Sequence, residues 1–195
     1  RQIPRGRRPI PVLLNEKGAS IIGIDVGWRT TNAVLLNLAG ETIDQIEAPT
    51  PRDENLEVSS AWVLTLTHKL LEKTGTHVPP LCGVGIGLPG PMAKNGTSMV
   101  DPNSTTEQIR KTLVQEYGVP VIVENDARMM AYGSQWFGEG KGYTSFAVLN
   151  IGFGLGLGLV MDERIVRGAH GFACEIGHIP LGDPEARCHC GKWGC

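Results

Sequence analysis

The carboxyl-terminal segment of the sequence carries side chains that could bind a metal ion. It reads CEIGHIPLGDPEARCHCGKWGC, and four candidate ligands lie within eighteen residues, the imidazole of His178 and the thiols of Cys188, Cys190 and Cys195. Three thiolates and one imidazole form a closed tetrahedral set of the kind that holds structural zinc. Gly191 and Gly194 allow the tight turns that chelation needs. The residues therefore favour a Zn²⁺ site, and the alternative is a surface cluster of thiols without metal.

Carboxyl and amide side chains follow two of the apolar runs in the sequence. Asp25 ends the run IIGID, and Asn125 and Asp126 follow PVIVE. Asp25 could hold a hydrated cation near a phosphate group, and Asp126 could bind or deprotonate a substrate hydroxyl. Local structure explains the same residues equally well, since Asp25 could be only a turn residue and Asn125 or Asp126 only a helix cap.

A glycine-rich segment, NIGFGLGLG, includes Gly152 and Gly154. Glycines let a backbone approach phosphate closely, so the segment is a candidate phosphate loop. A Gly-rich hairpin or a packed strand accounts for the same pattern. From these residues alone, that structural explanation is preferred.

Length, composition and charge exclude several classes of protein. The chain has 195 residues, 41% of them apolar, and its 18 basic and 20 acidic side chains give a formal charge of −2. This balance argues against a chain that coats nucleic acid or an anionic membrane. The longest nearly apolar stretch, 146–161, is too short and too rich in glycine to span a bilayer. With five cysteines and no secretory signal, the sequence predicts a cytoplasmic protein.

Hydrophobic periodicity predicts the element order β-β-β-α-β-α-β-α. Three β-rich runs from Ile21 predict a meander, and helical spacing predicts helices over 54–74, over 106–117 and from within 125–137. Two strands, TSFAVLNIG and GLGLVMDERIV, follow. This order predicts a mixed sheet covered by helices, in which ligands bind at the carboxyl ends of parallel strands. The loops concerned are 25–31, 87–91 and 124–127.

Composition also predicts how the chain divides. Residues 1–18 form a basic linker, because the first ten carry four basic groups and two prolines without apolar periodicity. A small α/β lobe follows over 19–124, and a new pair of strands after Gly142 places the boundary to the next lobe, 125–195, near Asn125. A basic arm is usually only solvated, but one attached to a DNA-binding module could contact phosphate.

Several of these motifs together resemble a known family. The segments DVG, GIGLPGP, ENDA, RGAHGFACEIGH and CHCGKWGC occur in an order that resembles the ROK family of repressors, open reading frames and sugar kinases. The resemblance covers roughly residues 12–195. It implies an α/β, actin-like (ribonuclease H-like), two-lobed sugar-binding fold, with a mixed sheet and flanking helices. A hexose would lie in the cleft, and structural zinc would order the segment beside it.

The resemblance also implies roles for individual residues. Asn125 and Asp126 would contact sugar hydroxyls, and Asp126 would be the catalytic base in kinase members. Glu175 and His178 would join them, with His178 serving both the zinc and the sugar. Two further residues match loops that line the same pocket, Gly90 and Asn103.

Both phosphate loops depart from the kinase pattern of the family. The kinase members resemble DxGGTK at the first loop, whereas this chain has an indole, Trp28, in place of the second glycine. At the second loop, GTGxG becomes GFGLG, so Phe153 replaces the hydroxyl side chain. The residues that remain for a nucleotide are Asp25, Gly27, Gly152 and Gly154. These departures predict poor ATP binding.

The sequence therefore predicts a sugar-responsive transcriptional regulator. GRRPIPVLLNEKGAS resembles the segment that joins a winged helix-turn-helix module to the sugar-binding body of family repressors. The chain is then a fragment of a repressor, cut before Arg1 and after Cys195. The partners would be a sugar or sugar phosphate, operator DNA through the absent module, and further copies of the chain in a homodimer or homotetramer.

Two alternatives stay open. One is a glucokinase-like sugar kinase of the same family, which would use ATP and Mg²⁺ with Asp126 as base. The other is a zinc-stabilised structural or assembly module that binds no ligand.

Overall fold

The structure, a computed structural model, describes residues 11–52, 58–90, 92, 104–188 and 190–195. The first sheet has five strands in the order β3-β2-β1-β4-β5. β1, β2 and β3 form the predicted antiparallel meander, and β4 and β5 run parallel to β1. The strands are β1 (Ser20–Val26), β2 (Thr30–Asn37), β3 (Thr42–Pro49), β4 (Leu81–Leu88) and β5 (Val121–Asn125).

Each of three helices begins at a polar cap. They are α1 (Ser60–Thr74), α2 (Thr105–Tyr117) and α3 (Asp126–Phe137). The side chains of Ser59, Ser104 and Asn125 accept hydrogen bonds from backbone N–H groups in the first turns. Such caps satisfy donors that have no partner within the helix.

The predicted start of the first helix at residue 54 is wrong. Residues 53–57 lie outside the described part of the chain, and Val58 and Ser59 are not helical. The hydroxyl of Ser59 accepts from the N–H of Trp62 at 3.2 Å, which fixes the helix start at Ser60. Apolar spacing extended the predicted helix too far because it does not detect a cap.

The main core lies between the five-stranded sheet and the helices α1 and α2. Alternate residues of β1 are buried, among them Ile22 and Ile24. They belong to the same cluster as Val63 and Leu70 of α1 and Leu113 of α2. The period of two along the strands and the helical spacing therefore point apolar side chains into one core.

A second sheet has the order β6-β7-β8, from β6 (Phe146–Ile151), β7 (Leu155–Met161) and β8 (Arg164–Ile165). The predicted continuous strand over 156–166 is wrong, because Asp162 and Glu163 form a turn with positive φ angles of 50° and 61°. The glycine-rich segment is a hairpin packed on α3. A Cβ at Gly158 would collide with the carbonyl oxygen of Ala127.

α3 lies between the two sheets. It packs on β7 through Gly156 and Gly158, and Met129 lies beside Gly87 of β4. The predicted lobe boundary near Asn125 falls at the start of this helix and stays a prediction, as does the linker 1–18, of which residues 1–10 lie outside the described part. Among the described helices, none is both long enough and apolar enough to cross a bilayer.

Candidate functional site

The strand register brings the predicted polar residues to one edge of the first sheet. Asp25 at the end of β1 pairs with Gly87 of β4, and Leu88 pairs with Asn125 at the end of β5. Because these three strands are parallel, their carboxyl ends meet at the same edge. Asp25, Asn125 and Asp126 therefore lie at the same edge of the sheet.

Asn125 both caps α3 and holds the loop that follows β4. Its Oδ1 accepts from the N–H of Arg128 at 3.1 Å, and its Nδ2 donates to the carbonyl oxygen of Gly90 at 3.1 Å. Gly90 has a φ of +102°, which favours glycine. The structure thus brings together two of the predicted sugar-binding residues, whereas Asn103 lies outside the described residues.

Asp126 and Asp25 form a pair of carboxyl groups whose charges repel. Burial raises the pKa of Asp126 above its usual value, although its Oδ1 accepts from the N–H of Ala127 at 2.8 Å. The pKa of Asp25 is raised first by loss of hydration and then by the charge of Asp126. Asp25 is exposed, so neighbouring protein removes only part of its hydration. A raised pKa suits a carboxylate that accepts a proton or a hydroxyl hydrogen bond.

Glu175 belongs to a distant segment of the chain, but its charge interacts with that of Asp126. Burial raises its pKa, the charges of His178 and Arg128 oppose that rise, and the charge of Asp126 adds to it. Glu175 immediately precedes the 3₁₀ turn Ile176–His178. This turn lies against β7, where a Cβ at Gly177 would collide with the carbonyl oxygen of Leu155. The EIGH motif therefore needs its glycine for close packing.

The four predicted metal ligands also come together. Nδ1 of His178 lies 3.8 Å from Sγ of Cys188, and the Sγ atoms of Cys190 and Cys195 lie 3.7 Å apart. All four ligand atoms lie within 4.8 Å of one another. A tetrahedral site with Zn–S bonds of about 2.3 Å needs ligand atoms roughly 3.8 Å apart. The donor set therefore fits Zn²⁺ in both chemistry and spacing.

A short hairpin shapes this cluster. Arg187 pairs with Trp193, and the N–H of Cys188 donates to the carbonyl oxygen of Lys192 at 2.8 Å. Gly191 turns the chain with a φ of +88°. Loss of hydration, followed by the hydrogen bonds that its thiol donates to Cys190 and Cys188, raises the pKa of Cys195 to about 11. The pKa of Cys190 is instead lowered, first by a hydrogen bond from the backbone of Lys192 and then by those from the neighbouring thiols. A divalent cation would favour the thiolate form of its ligands.

The loops that follow β1 and β6 meet through two aromatic rings. Trp28 and Phe153 stack with centroids 3.9 Å apart and ring planes 8° apart. The guanidinium of Arg52 covers the indole, with Cζ 4.3 Å from its centroid. Arg52 also donates to the carbonyl oxygen of Gly27 at 3.0 Å. In the second loop, the N–H of Gly152 donates to the carbonyl oxygen of Gly154 at 3.0 Å.

The ROK family model matches residues 21–195. The chain belongs to the ROK family. It is 35% identical over 193 residues to the xylose repressor of Caldicellulosiruptor bescii, a match that covers 97% of this chain and 48% of that protein. The chain therefore spans about half the length of this curated relative.

Two solved structures of the ROK family have a similar fold. One is a glucokinase from Streptomyces griseus in complex with glucose and AMPPNP, with a TM-score of 0.76, 28% identity, and coverage of 90% of this chain and 55% of that chain. The other is a transcriptional regulator, a homolog of the E. coli MLC protein, with a TM-score of 0.74, 28% identity, and coverage of 93% and 46%. The predicted α/β actin-like fold, with a mixed sheet and flanking helices, is confirmed.

Three residues beside this candidate site were missed in the sequence. Glu124 accepts from Arg128 at 2.9 Å and from Arg167 at 2.8 Å. The spacing of Glu124 and Arg128 is an i,i+4 signal that could have been noticed. Arg167 lies 43 positions from Glu124, and no local pattern connects them.

Proposed function

We propose that this chain is the effector-binding body of a sugar-responsive transcriptional repressor. The stack of Trp28 on Phe153 carries the proposal. Phosphoryl transfer depends on backbone amides and small polar groups near the phosphates. An indole on a phenyl ring supplies neither and fills the space between the two loops. The similarity to a xylose repressor over 97% of the chain supports the same function.

In this proposal the sugar lies at the polar edge of the first sheet. Asn125, Asp126 and Glu175 would accept and donate hydrogen bonds to vicinal hydroxyls, with His178 and the Gly90 loop beside them. Asn103 completes the proposed set. Sugar recognition of this kind depends on paired polar groups, since each buried partner left unpaired costs about 1–3 kcal/mol. The candidate ligands are xylose, glucose and related sugars, free or phosphorylated.

Zinc would have a structural role. Zn²⁺ would be held by His178, Cys188, Cys190 and Cys195. The ion would cross-link a segment that has little regular secondary structure. Because His178 follows Glu175 by three positions, that cross-link would fix Glu175 beside Asp126. The metal site thus supports the sugar site without taking part in chemistry.

Regulation would need partners outside the described residues. Operator DNA would bind through a winged helix-turn-helix module joined by the basic linker 1–18, and the repressor would act in the cytoplasm as a homodimer or homotetramer. The sugar would bind one conformation of the repressor more tightly than another. This difference would shift the population between the two conformations and so change the affinity for the operator.

The decisive experiment uses the intact protein with its DNA-binding module. A coupled assay with sugar, ATP and Mg²⁺ should show no sugar-dependent ATP consumption, and operator binding should tighten or weaken when sugar is added. Turnover of about one per second or more, which is ordinary for an enzyme, would overturn the repressor function.

The second candidate is an ATP-dependent sugar kinase, and one observation favours it. Burial raises the pKa of Asp126, which suits a general base that deprotonates a sugar hydroxyl. Asp25 would then lie near Mg²⁺, with Gly27, Gly152 and Gly154 in the phosphate loops. The same coupled assay separates the two candidates.

A further inference from the structure

One buried guanidinium links three separate segments beside the proposed sugar site. Arg128 is only 1% exposed and lies in the first turn of α3. Its Nη1 donates to Oε1 of Glu124 at 2.9 Å and to the carbonyl oxygen of Met92 at 3.4 Å. Its Nη2 donates to the carbonyl oxygen of Gly171. β5, the chain after β4 and the segment before Glu175 are therefore joined at one side chain.

A second guanidinium shares the same carboxylate. Nε of Arg167 donates to Oε2 of Glu124 at 2.8 Å, and its Nη2 donates to the hydroxyl of Tyr132 at 3.1 Å. Glu124 also accepts from the N–H of Asn125 at 2.9 Å. The oxygen atoms of Glu124 thus fix Asn125 on one side and the chain at Arg167 on the other.

Stability alone is a weak reason for this arrangement. Burying charged groups removes their hydration, and well-packed apolar residues are often at least as stabilising as a buried ion pair. The guanidinium fork does something that an apolar side chain cannot, because it fixes directions toward several acceptors at once. The acceptors here belong to the segments that carry Asn125, Gly90 and Glu175.

We propose that Arg128 is a positioning residue for the sugar site: it fixes the segment 168–175, which ends at Glu175, against the strand end that carries Asn125. The inference rests on the proposed sugar-binding function. Arg128 is too deeply buried to touch a ligand, so it acts through the backbone of Gly171 and the carboxylate of Glu124. Its charge also opposes the rise in the pKa of Glu175 that loss of hydration causes, in agreement with their proximity.

The first test compares sugar affinity in three variants of the intact protein. Arg128→Lys keeps the charge but offers one ammonium in place of the fork, and Arg128→Met keeps the approximate length without charge. Arg110→Met is the matched control, since Arg110 makes a two-bond pair with Glu107 on α2. Calorimetry with xylose and glucose should give at least about tenfold weaker binding for both Arg128 variants and no more than about a twofold change for the control.

The second test needs no ligand. Hydrogen exchange of the amides in 168–175 should become faster in Arg128→Lys, while exchange in β1 and β2 stays at the parent rate. Melting temperatures are measured alongside, and Arg128→Lys alone is used where Arg128→Met does not fold.

The outcomes separate the two proposals. If the parent protein binds no sugar in the panel, the proposed function fails, and hydrogen exchange still decides whether Arg128 fixes the segment. Parent-like exchange in 168–175 of folded Arg128→Lys would overturn the positioning role. So would parent-like sugar affinity in a variant whose melting temperature falls, since that result describes a stabilising residue only.

Discussion

Two groups of side chains in this molecule differ in their chemistry. One consists of carboxyl groups, and the other consists mainly of aromatic rings. The polar side, Asp126 with Asp25 and Glu175, holds carboxyl groups whose pKa values are raised first by loss of hydration. The aromatic side, Trp28 on Phe153 with Arg52, is a stack of flat groups. The contrast shows that one fold can keep a hydrogen-bonding surface in one set of loops and close another set with rings.

The two sides also differ in what they contribute to stability. A carboxyl group with a raised pKa is less favourable as an anion in the folded protein than in the unfolded chain. Stacked rings contribute about 0.5–1.5 kcal/mol beyond the area they bury. The raised pKa values thus lower stability at the proposed sugar site. The stacked rings raise stability between the two loops that follow β1 and β6.

The largest effect is expected from a change in the proposed metal site, which supports the polar side. Cys188→Ser should lower zinc below about half an equivalent per chain and weaken sugar binding by roughly a hundredfold, because the segment that carries Glu175 loses its cross-link. Elemental analysis and calorimetry measure the two effects. Cys82→Ser, at an exposed thiol outside the cluster, should change neither. Less than about half an equivalent of zinc in the parent, purified without chelator, would contradict the metal site.

The next prediction removes one side chain from the polar side. Asp126→Ala should weaken binding of at least one sugar by about tenfold or more, as loss of a buried hydrogen bond predicts. Calorimetry over hexoses, xylose, amino sugars and 6-phosphates measures the change. Asp44→Ala, which removes a partly exposed carboxylate paired with Lys73 outside the proposed site, serves as the control. Unchanged affinity for every sugar that the parent binds would show that the site is elsewhere.

The aromatic side is tested by a double-mutant cycle. Trp28→Leu, Phe153→Leu and the double variant should give a coupling energy of about 1 kcal/mol in urea unfolding, since each single change already removes the stack. Trp136, an exposed indole on α3, replaces Trp28 in a control cycle that should give no coupling. A coupling near zero for Trp28 and Phe153 would mean that the rings do not hold the loops together.

The smallest effect concerns pH. Because the pKa of Asp25 is raised, the folded state binds more protons than the unfolded state between the unfolded value of 3.8 and the higher folded value. Stability from this group is therefore present below that window and lost as pH rises through it. Asp25→Asn should remove this loss and be slightly more stable than the parent at pH near 7, as measured by urea unfolding.

A group with the opposite shift provides the control for pH. The hydrogen bond from Lys73 lowers the pKa of Asp44, so its contribution is present above the unfolded value and lost as pH falls. Asp44→Asn should lower stability near neutral pH. If both variants changed stability in the same direction there, the difference between the two carboxylates would not come from their surroundings.

The sequence by itself determined the features that depend on neighbouring residues. Hydrophobic periodicity determined the meander and the order of helices and strands, and the cap at Asn125 was one of the two explanations that its position allowed. The candidate metal ligands could be predicted because they lie within eighteen residues of one another. The interruption at Asp162 and Glu163 was missed, although Asp is a common turn residue, because the apolar residues on both sides were interpreted as one strand.

Only the tertiary structure decided which distant side chains touch. Trp28 and Phe153 were each predicted to harm a phosphate loop, but their stacking on one another depends on how the two sheets meet. The contacts of Glu124 with Arg167 and of Arg128 with Gly171 each join residues 43 positions apart. Periodicity and capping act within a few residues, whereas such pairs depend on the packing of α3 between the sheets, which no local pattern encodes.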